Sequence, residues 1–122
     1  MRTPDASLRA SPKDFLSRLP GPKTSRWPDG ERFVEIFSSG AFSVELYAPV
    51  GKDPQQPHTR DEVYFVVSGS GGFVRNGERT TFSAGDALFV GAGVEHRFEN
   101  FTDDFTTWVV FYGSSSGGQR HA

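Results

Sequence analysis

The feature that most constrains this chain is a succession of short strand-like segments, which follow one another from Arg32 to Tyr112. At least seven such segments can be distinguished, and turn-forming Gly, Pro, Asn and Asp residues separate them. Helical periodicity is almost absent from this region. Short strands at close spacing are typical of antiparallel sandwiches and small barrels. The sequence therefore predicts an all-β fold.

Two hairpins can be recognised from their loops. The first joins the runs RFVEIF and AFSVELYA through a short loop that contains Gly40. The second joins FVR and ERTTF through Asn76-Gly77, a pair that suits a type I′ turn because both central positions need positive φ. Further strands are predicted at residues 62–68, 86–90, 96–100 and 106–112.

The length of 122 residues predicts a single domain with a moderate core. Residues 1–31 are rich in Pro, Ser and charge, and we interpret them as an N-terminal extension. Its one helical signal is Ser11 as N-cap, followed by Pro12 and the run KDFLSRL. Residues 32–112 are expected to form the barrel, and residues 113–122 a flexible tail.

Composition excludes several functions. The chain has no cysteine, so disulfides, thiolate metal sites and thiol nucleophiles are absent, and a metal would need nitrogen and oxygen ligands. The formal charge is −2 with Lys and Arg scattered along the chain, which predicts neither nucleic-acid nor membrane binding. The first residues lack the apolar run of a signal peptide, so we expect a cytoplasmic protein.

A polar cluster opens one of the predicted strands. His58 is one of three histidines and precedes Glu62 by four residues. Alternate side chains of an extended chain project from the same face, and this face begins polar and continues apolar. Its members are Gln56, His58, Arg60, Glu62, Tyr64 and Val66. The pattern indicates polar ligands at the mouth of an apolar chamber, as in a ligand or metal site.

A second polar cluster, from Gly85 to Asn100, repeats this layout, because His96 follows a Gly-rich turn and opens a strand. Together, the two clusters resemble the two sequence motifs of the cupin family. The first motif is Gly, five residues, His-x-His, three or four residues, Glu, six residues, Gly. In this chain, Gln56 corresponds to the first histidine, His58 to the second, Glu62 to the glutamate and Gly69 to the last glycine.

The second cupin motif is Gly, five residues, Pro-x-Gly, two residues, His, three residues, Asn. The matching residues are Gly85, Gly93, His96 and Asn100, with Gly91 in place of the proline. The resemblance covers roughly Arg32 to Tyr112 and implies a jelly-roll β-barrel made of two sheets. Two motifs at the correct mutual spacing make the match specific.

The resemblance also implies a divalent metal site. In metal-binding cupins the ligands correspond to His58, Glu62 and His96, with Gln56 in the place of a third histidine. Two imidazoles and a carboxylate suit Fe, Mn, Ni or Zn. Gln56 would either add an amide oxygen or form a hydrogen bond to a substrate or a bound water. The alternative for His58 and His96 is that both are satisfied polar residues of a barrel without a metal.

Four further residues are candidates for contact with a small-molecule ligand: Arg60, Tyr64, Phe98 and Trp108. Arg60 would either meet an anionic substrate or pair with Asp61 or Glu95. For the three aromatic residues, the alternative is ordinary core packing.

Two classes of function remain open. One is a metal-dependent enzyme, either an oxygenase or an isomerase or lyase, in which the metal acts as Lewis acid. The other is a non-enzymatic module that holds a small ligand. The sequence assigns no catalytic residue. The absence of an adjacent DNA-binding region in this sequence favours the enzyme.

The predicted strand at residues 62–68 is apolar on both faces, so both faces need cover. We name Val63, Phe65 and Val67 the outward trio. Either a second copy of the chain or the N-terminal extension would cover it. Because cupins are commonly dimers, the resemblance favours a homodimer.

Overall fold

The computed structural model describes residues 9–113, and the predicted tail beyond Gly113 lies outside these residues. The prediction of an all-β fold is confirmed: one short helix and eight strands are present in the described part. Their bounds are α1, Pro12–Leu16; β1, Phe33–Ser39; β2, Phe42–Tyr47; β3, Asp61–Ser68; β4, Ser70–Arg75; β5, Glu78–Ser83; β6, Ala87–Val90; β7, His96–Glu99; and β8, Thr106–Tyr112.

The strands form two antiparallel sheets. The larger sheet has the order β1-β2-β8-β3-β6, and the smaller has the order β5-β4-β7. Aromatic side chains fill the space between the sheets. Phe98 of β7 lies against Tyr64 of β3, with ring centroids 4.8 Å apart, and against Phe105, at 4.7 Å. This aromatic core joins the sheets into the jelly-roll sandwich that the sequence predicted.

Glycine and asparagine set two of the turns. Asn76 and Gly77 have φ of 50° and 84°, as a type I′ turn requires, and they join β4 to β5. Gly69, with φ of 87°, joins β3 to β4. A Cβ at Gly69 would lie 2.6 Å from Cα of Phe105, so this position also requires the absence of a side chain.

Alternate residues of β3 face opposite sides of the larger sheet. Glu62 and Tyr64 are buried and face the smaller sheet. Val63 and Phe65 face outward, and Phe65 pairs directly opposite Trp108 of β8. Phe65 is 46% exposed, and helix α1 contacts β2. The described N-terminal residues therefore leave Phe65 of the outward trio open to solvent.

The N-terminal extension contributes to the core. Trp27 is only 7% exposed, and its ring centroid lies 6.0 Å from those of Phe33 and Tyr47. Within residues 9–113, no helix has the length and apolar character needed to cross a membrane.

Candidate metal centre

Three separate segments bring the candidate ligands together. Glu62 is the second residue of β3, His96 is the first residue of β7, and His58 lies in the loop before β3. The backbone N–H of Gly93 donates a hydrogen bond of 2.7 Å to the carbonyl oxygen of His58. This bond ties the loop that precedes His96 to the loop that carries His58.

The structure places His58, Glu62 and His96 around one point. His96 Nε2 lies 3.2 Å from Glu62 Oε1, and His58 Nε2 lies 3.9 Å from the same oxygen. One ligand atom from each of the three residues lies within 4.8 Å of the others. Their exposed fractions are only 4%, 1% and 3%, so the cluster is closed to solvent.

Backbone contacts set the tautomer of His96. Its Nδ1 lies 2.9 Å from the carbonyl oxygen of Val94, which can only accept a hydrogen bond. Nδ1 therefore carries the proton, and Nε2 presents a lone pair toward Glu62. Burial lowers the pKa of His96, although the Val94 carbonyl and the charge of Asp53 act in the opposite direction. His96 is thus a neutral imidazole with its free nitrogen directed into the cluster.

Glu62 has little compensation for its charge. Among the described residues, no donor with hydrogen-bond geometry reaches either carboxyl oxygen. Burial raises the pKa of Glu62 to about 8; the Tyr64 hydroxyl lowers it, and the charge of Asp53 adds to the increase. A buried carboxylate with two imidazoles beside it is the environment that a divalent cation stabilises. The residues present therefore fit the metal that the cupin resemblance implied.

Gln56 lies outside this cluster. It is exposed, and its Oε1 accepts a hydrogen bond of 3.0 Å from Arg26. The buried neighbour is Gln55, whose Oε1 lies 3.2 Å from His96 Nε2 and 3.4 Å from His58 Nε2. The alternation used to place Gln56 holds only in an extended strand, and β3 does not begin until Asp61.

A buried network behind Gln55 was missed from the sequence. Asp53 Oδ2 accepts hydrogen bonds from Gln55 Nε2 at 2.5 Å and from the backbone N–H of Phe98 at 2.9 Å. Asp53 Oδ1 accepts from the Tyr47 hydroxyl and, at 3.3 Å, from the backbone N–H of Gln55. Burial raises the pKa of Asp53, and these hydrogen bonds oppose the increase. The available signal was an acidic residue in a Pro-rich loop just before the first motif.

The candidate ligand-contacting residues have different positions. Tyr64 faces the cluster, since its hydroxyl lies 3.0 Å from His96 Nε2, and the Phe98 ring packs on Tyr64 in the aromatic core. Arg60 is buried; its Nη2 donates to Ser43 Oγ at 2.9 Å. Trp108 lies on the outer face of β8, opposite Phe65, and does not reach the cluster. Strand parity explains this last position.

The comparisons with known proteins identify the family. The cupin domain model matches residues 43–112, which include His58, Glu62 and His96. The chain belongs to the cupin family. An uncharacterized protein of Streptomyces coelicolor is 36% identical over 96 residues, which are 77% of this chain and 91% of that protein.

The chain is also similar to part of a transcriptional activator and to a solved cupin structure. The HTH-type transcriptional activator RhaS of Yersinia pestis is 35% identical over 80 residues, which are 64% of this chain but only 29% of the activator. A cupin 2 conserved barrel protein of Salinispora arenicola has a similar structure, with a TM-score of 0.58 and 21% identity. That alignment covers 67% of this chain and 75% of the other, and it supports the fold alone.

Proposed function

We propose that this cupin binds one divalent metal ion through His58, Glu62 and His96 and uses it in an enzymatic reaction on a small molecule. The reaction would be an oxygenation, or it would be an isomerisation or elimination of an enolisable substrate. When bound, the ion would supply Lewis acidity at the inner end of the barrel. The ion is Fe(II), Mn(II), Ni(II) or Zn(II), the metals that accept imidazole together with carboxylate.

The uncompensated Glu62 carboxyl group is the observation that carries the metal site. A carboxyl group that is 1% exposed, with no aligned donor among residues 9–113, costs free energy whenever it is ionised. The Nε2 atom of neutral His96, 3.2 Å from Glu62 Oε1, adds an electron pair rather than a proton to this environment, because the ring proton lies on Nδ1. The Nε2 atom of His58 lies 3.9 Å from the same oxygen. A cation is the group that satisfies all three residues at once.

The chain's own groups would prepare the site for its ligands. The Val94 carbonyl fixes the His96 ring with its free nitrogen inward. Tyr64 places a hydroxyl beside that nitrogen, and burial raises the pKa of Tyr64 well above its usual value. Tyr64 therefore stays protonated and serves as a hydrogen-bond donor at neutral pH. The surrounding Phe73 and Phe98 rings exclude water from this end of the barrel.

Metal analysis of protein purified without a metal-affinity tag tests the site. The parent protein is expected to contain about one divalent ion per chain, because one set of ligands is present. His58→Ala and His96→Ala should each lose the ion. His121→Ala is the control, since it removes the third histidine, which lies outside the described residues. Full metal content in both ligand variants would contradict the assignment.

Screening of the loaded protein against small organic acids and enolisable carbonyl compounds then tests the enzyme, with oxygen consumption as the readout for an oxygenase and loss of substrate by NMR as the readout for an isomerase or lyase. Turnover that follows metal content across the same variants supports a metal-dependent reaction. Ligand binding without turnover supports the second candidate, a non-enzymatic ligand-binding module. The observation that favours this candidate is the 35% identity to part of a transcriptional activator. The cytoplasm remains the compartment that we propose for either function.

A further inference from the structure

We propose that Gln55 supplies a fourth donor to the metal site through its side-chain amide oxygen. The proposal rests on the metal-binding function proposed above and names the residue that takes the place of the missing histidine. Gln55 is 8% exposed, and its Oε1 lies 3.2 Å from His96 Nε2 and 3.4 Å from His58 Nε2. It belongs to the loop between β2 and β3, outside the spacing of the cupin motif.

The separations between donor atoms agree with a shared ion. Atoms that bind one ion at about 2.1 Å in neighbouring positions lie roughly 3 Å from one another. His96 Nε2 lies 3.2 Å from Glu62 Oε1 and 3.2 Å from Gln55 Oε1. The Gln55 oxygen therefore has the same relation to His96 as the carboxylate oxygen that the metal site already includes.

Asp53 determines which end of the Gln55 amide faces the cluster. Gln55 Nε2 donates a hydrogen bond of 2.5 Å to Asp53 Oδ2, so Oε1 points in the opposite direction, toward the histidines. A reversed amide would place its oxygen against the carboxyl oxygen and lose this bond. Asp53 is itself held by the Tyr47 hydroxyl and the backbone N–H of Phe98. Asp53 and Tyr47 are thus positioning residues for the amide.

Hydrogen-bond acceptors outnumber donors between Gln55, Glu62 and His96. When Glu62 is ionised, as a metal ligand must be, its carboxylate, Gln55 Oε1 and the free nitrogen of His96 are all acceptors. The Tyr64 hydroxyl has one proton and lies 3.0 Å from both Gln55 Oε1 and His96 Nε2, so it satisfies only one of them. A cation satisfies the remaining acceptors. If His96 Nε2 held an ion, the Tyr64 hydroxyl would be free to donate to the second lone pair of the Gln55 oxygen.

An amide oxygen changes the metal preference of the site. Imidazole nitrogen suits Zn(II), Ni(II) and Cu(II), whereas carbonyl and carboxylate oxygens suit harder ions such as Mn(II). Two nitrogens and two oxygens therefore favour Mn(II) more than a site with three imidazoles would. The expected signature of Gln55 is a ratio of affinities, Mn(II) over Zn(II), that depends on this side chain.

The chain offers a matched control in the next residue. Gln55 and Gln56 have the same side chain, but Gln56 is exposed and bonded to Arg26. Leu and His are placed at each position, and binding of Mn(II) and Zn(II) to the metal-free proteins is measured by calorimetry. Gln55→Leu should weaken Mn(II) binding by about 10- to 100-fold. Gln55→His should raise Zn(II) affinity relative to Mn(II), and both Gln56 variants should match the parent.

Near-ultraviolet circular dichroism of the metal-free proteins identifies a variant that fails to fold. If Gln55→Leu fails, Gln55→His still decides, because an imidazole that binds the ion raises the affinity for Zn(II) relative to Mn(II), whereas an imidazole outside the site behaves like the Gln56→His control. Parent protein that binds neither ion overturns the proposed function and this inference with it. If the parent binds metal and the Gln55 variants match the Gln56 variants in affinity and in the Mn(II)-to-Zn(II) ratio, the role of Gln55 alone is overturned.

Discussion

Replacing Glu62 by Gln is expected to stabilise the metal-free protein, by an amount that grows as the pH rises. Burial raises the pKa of Glu62 from 4.5 to about 8 in the folded chain. Below about pH 4.5 the group is protonated in both the folded and the unfolded chain. Between about pH 4.5 and pH 8 the unfolded chain loses this proton while the folded chain keeps it. The free energy of unfolding therefore falls across this range.

The size of the effect follows from the same values. A tenfold change in proton affinity corresponds to about 1.4 kcal/mol. Because the change in pKa is from 4.5 to about 8, the parent should lose on the order of 5 kcal/mol of stability by the upper end of the range. The amide that Glu62→Gln introduces cannot ionise, and it would donate toward His96 Nε2, an acceptor that lies 3.2 Å from Glu62 Oε1 in the parent. The variant should therefore lack this part of the pH dependence.

Urea denaturation of chelator-treated protein between about pH 5 and pH 8 measures the difference. Titrating groups away from the cluster contribute equally to parent and variant, so the gap between the two curves reports Glu62 together with its coupling to Asp53 and His96. Glu78→Gln is the control, because the Glu78 side chain is 82% exposed. Curves for parent and Glu62→Gln that run parallel across the range would refute the reasoning. Added divalent metal should reverse the order, since it stabilises the ionised parent and not the variant.

Two further predictions concern the sheet and its turns. The protein is expected to be a homodimer at micromolar concentration, because an interface would bury the part of the outward trio that is still exposed: Phe65 is 46% exposed, and Val63 and Val67 are half-buried. Full burial of such a side chain contributes about 1.5 to 3 kcal/mol, so each residue of the trio would add a fraction of that. Light scattering should show that Phe65→Lys is monomeric and that Thr80→Lys is not, and a monomeric parent would remove this interface. Gly69→Ala should destabilise the fold by more than about 1 to 3 kcal/mol in thermal or urea unfolding, because it adds a clash with Phe105 to a positive φ. Gly40→Ala separates the two effects, since Gly40 also has positive φ but has no atom within 4 Å of an added Cβ; equal losses for both variants would show that the contact is unimportant.

Strand positions could be predicted from the sequence because they depend on local patterns. Alternation and turn chemistry act over a few residues, so β8 was predicted with its observed ends, Thr106 and Tyr112. The Asn76-Gly77 turn was predicted from its need for positive φ. The sheet order does not follow from these patterns, since it depends on contacts between distant segments; the resemblance to cupins supplied the two-sheet architecture.

The site was predicted only where its residues belong to regular elements or follow the family spacing. Glu62 and His96 lie in β3 and β7, and their spacing indicated a common site. Gln55 was missed because residues 52–58 form a loop rather than a strand, so counting alternate residues back from Glu62 selected Gln56. Trp108 was assigned to the chamber by residue type alone; the pairing of β8 with β3 places it on the outer face.

Closure of the ligand cluster has a consequence for how metal enters and leaves. The loop between β2 and β3 is fastened to β7 by the hydrogen bond from Phe98 N–H to Asp53, and its His58 carbonyl is fastened to Gly93. A bound ion would be released only after these bonds open, so the rate of loop opening, rather than the strength of the metal–ligand bonds, would limit exchange. Raising the concentration of a chelator would not accelerate it. Such a protein would exchange its ion only as fast as the loop opens, so the ion found after a rapid purification would reflect the metal supply of the cell that made it.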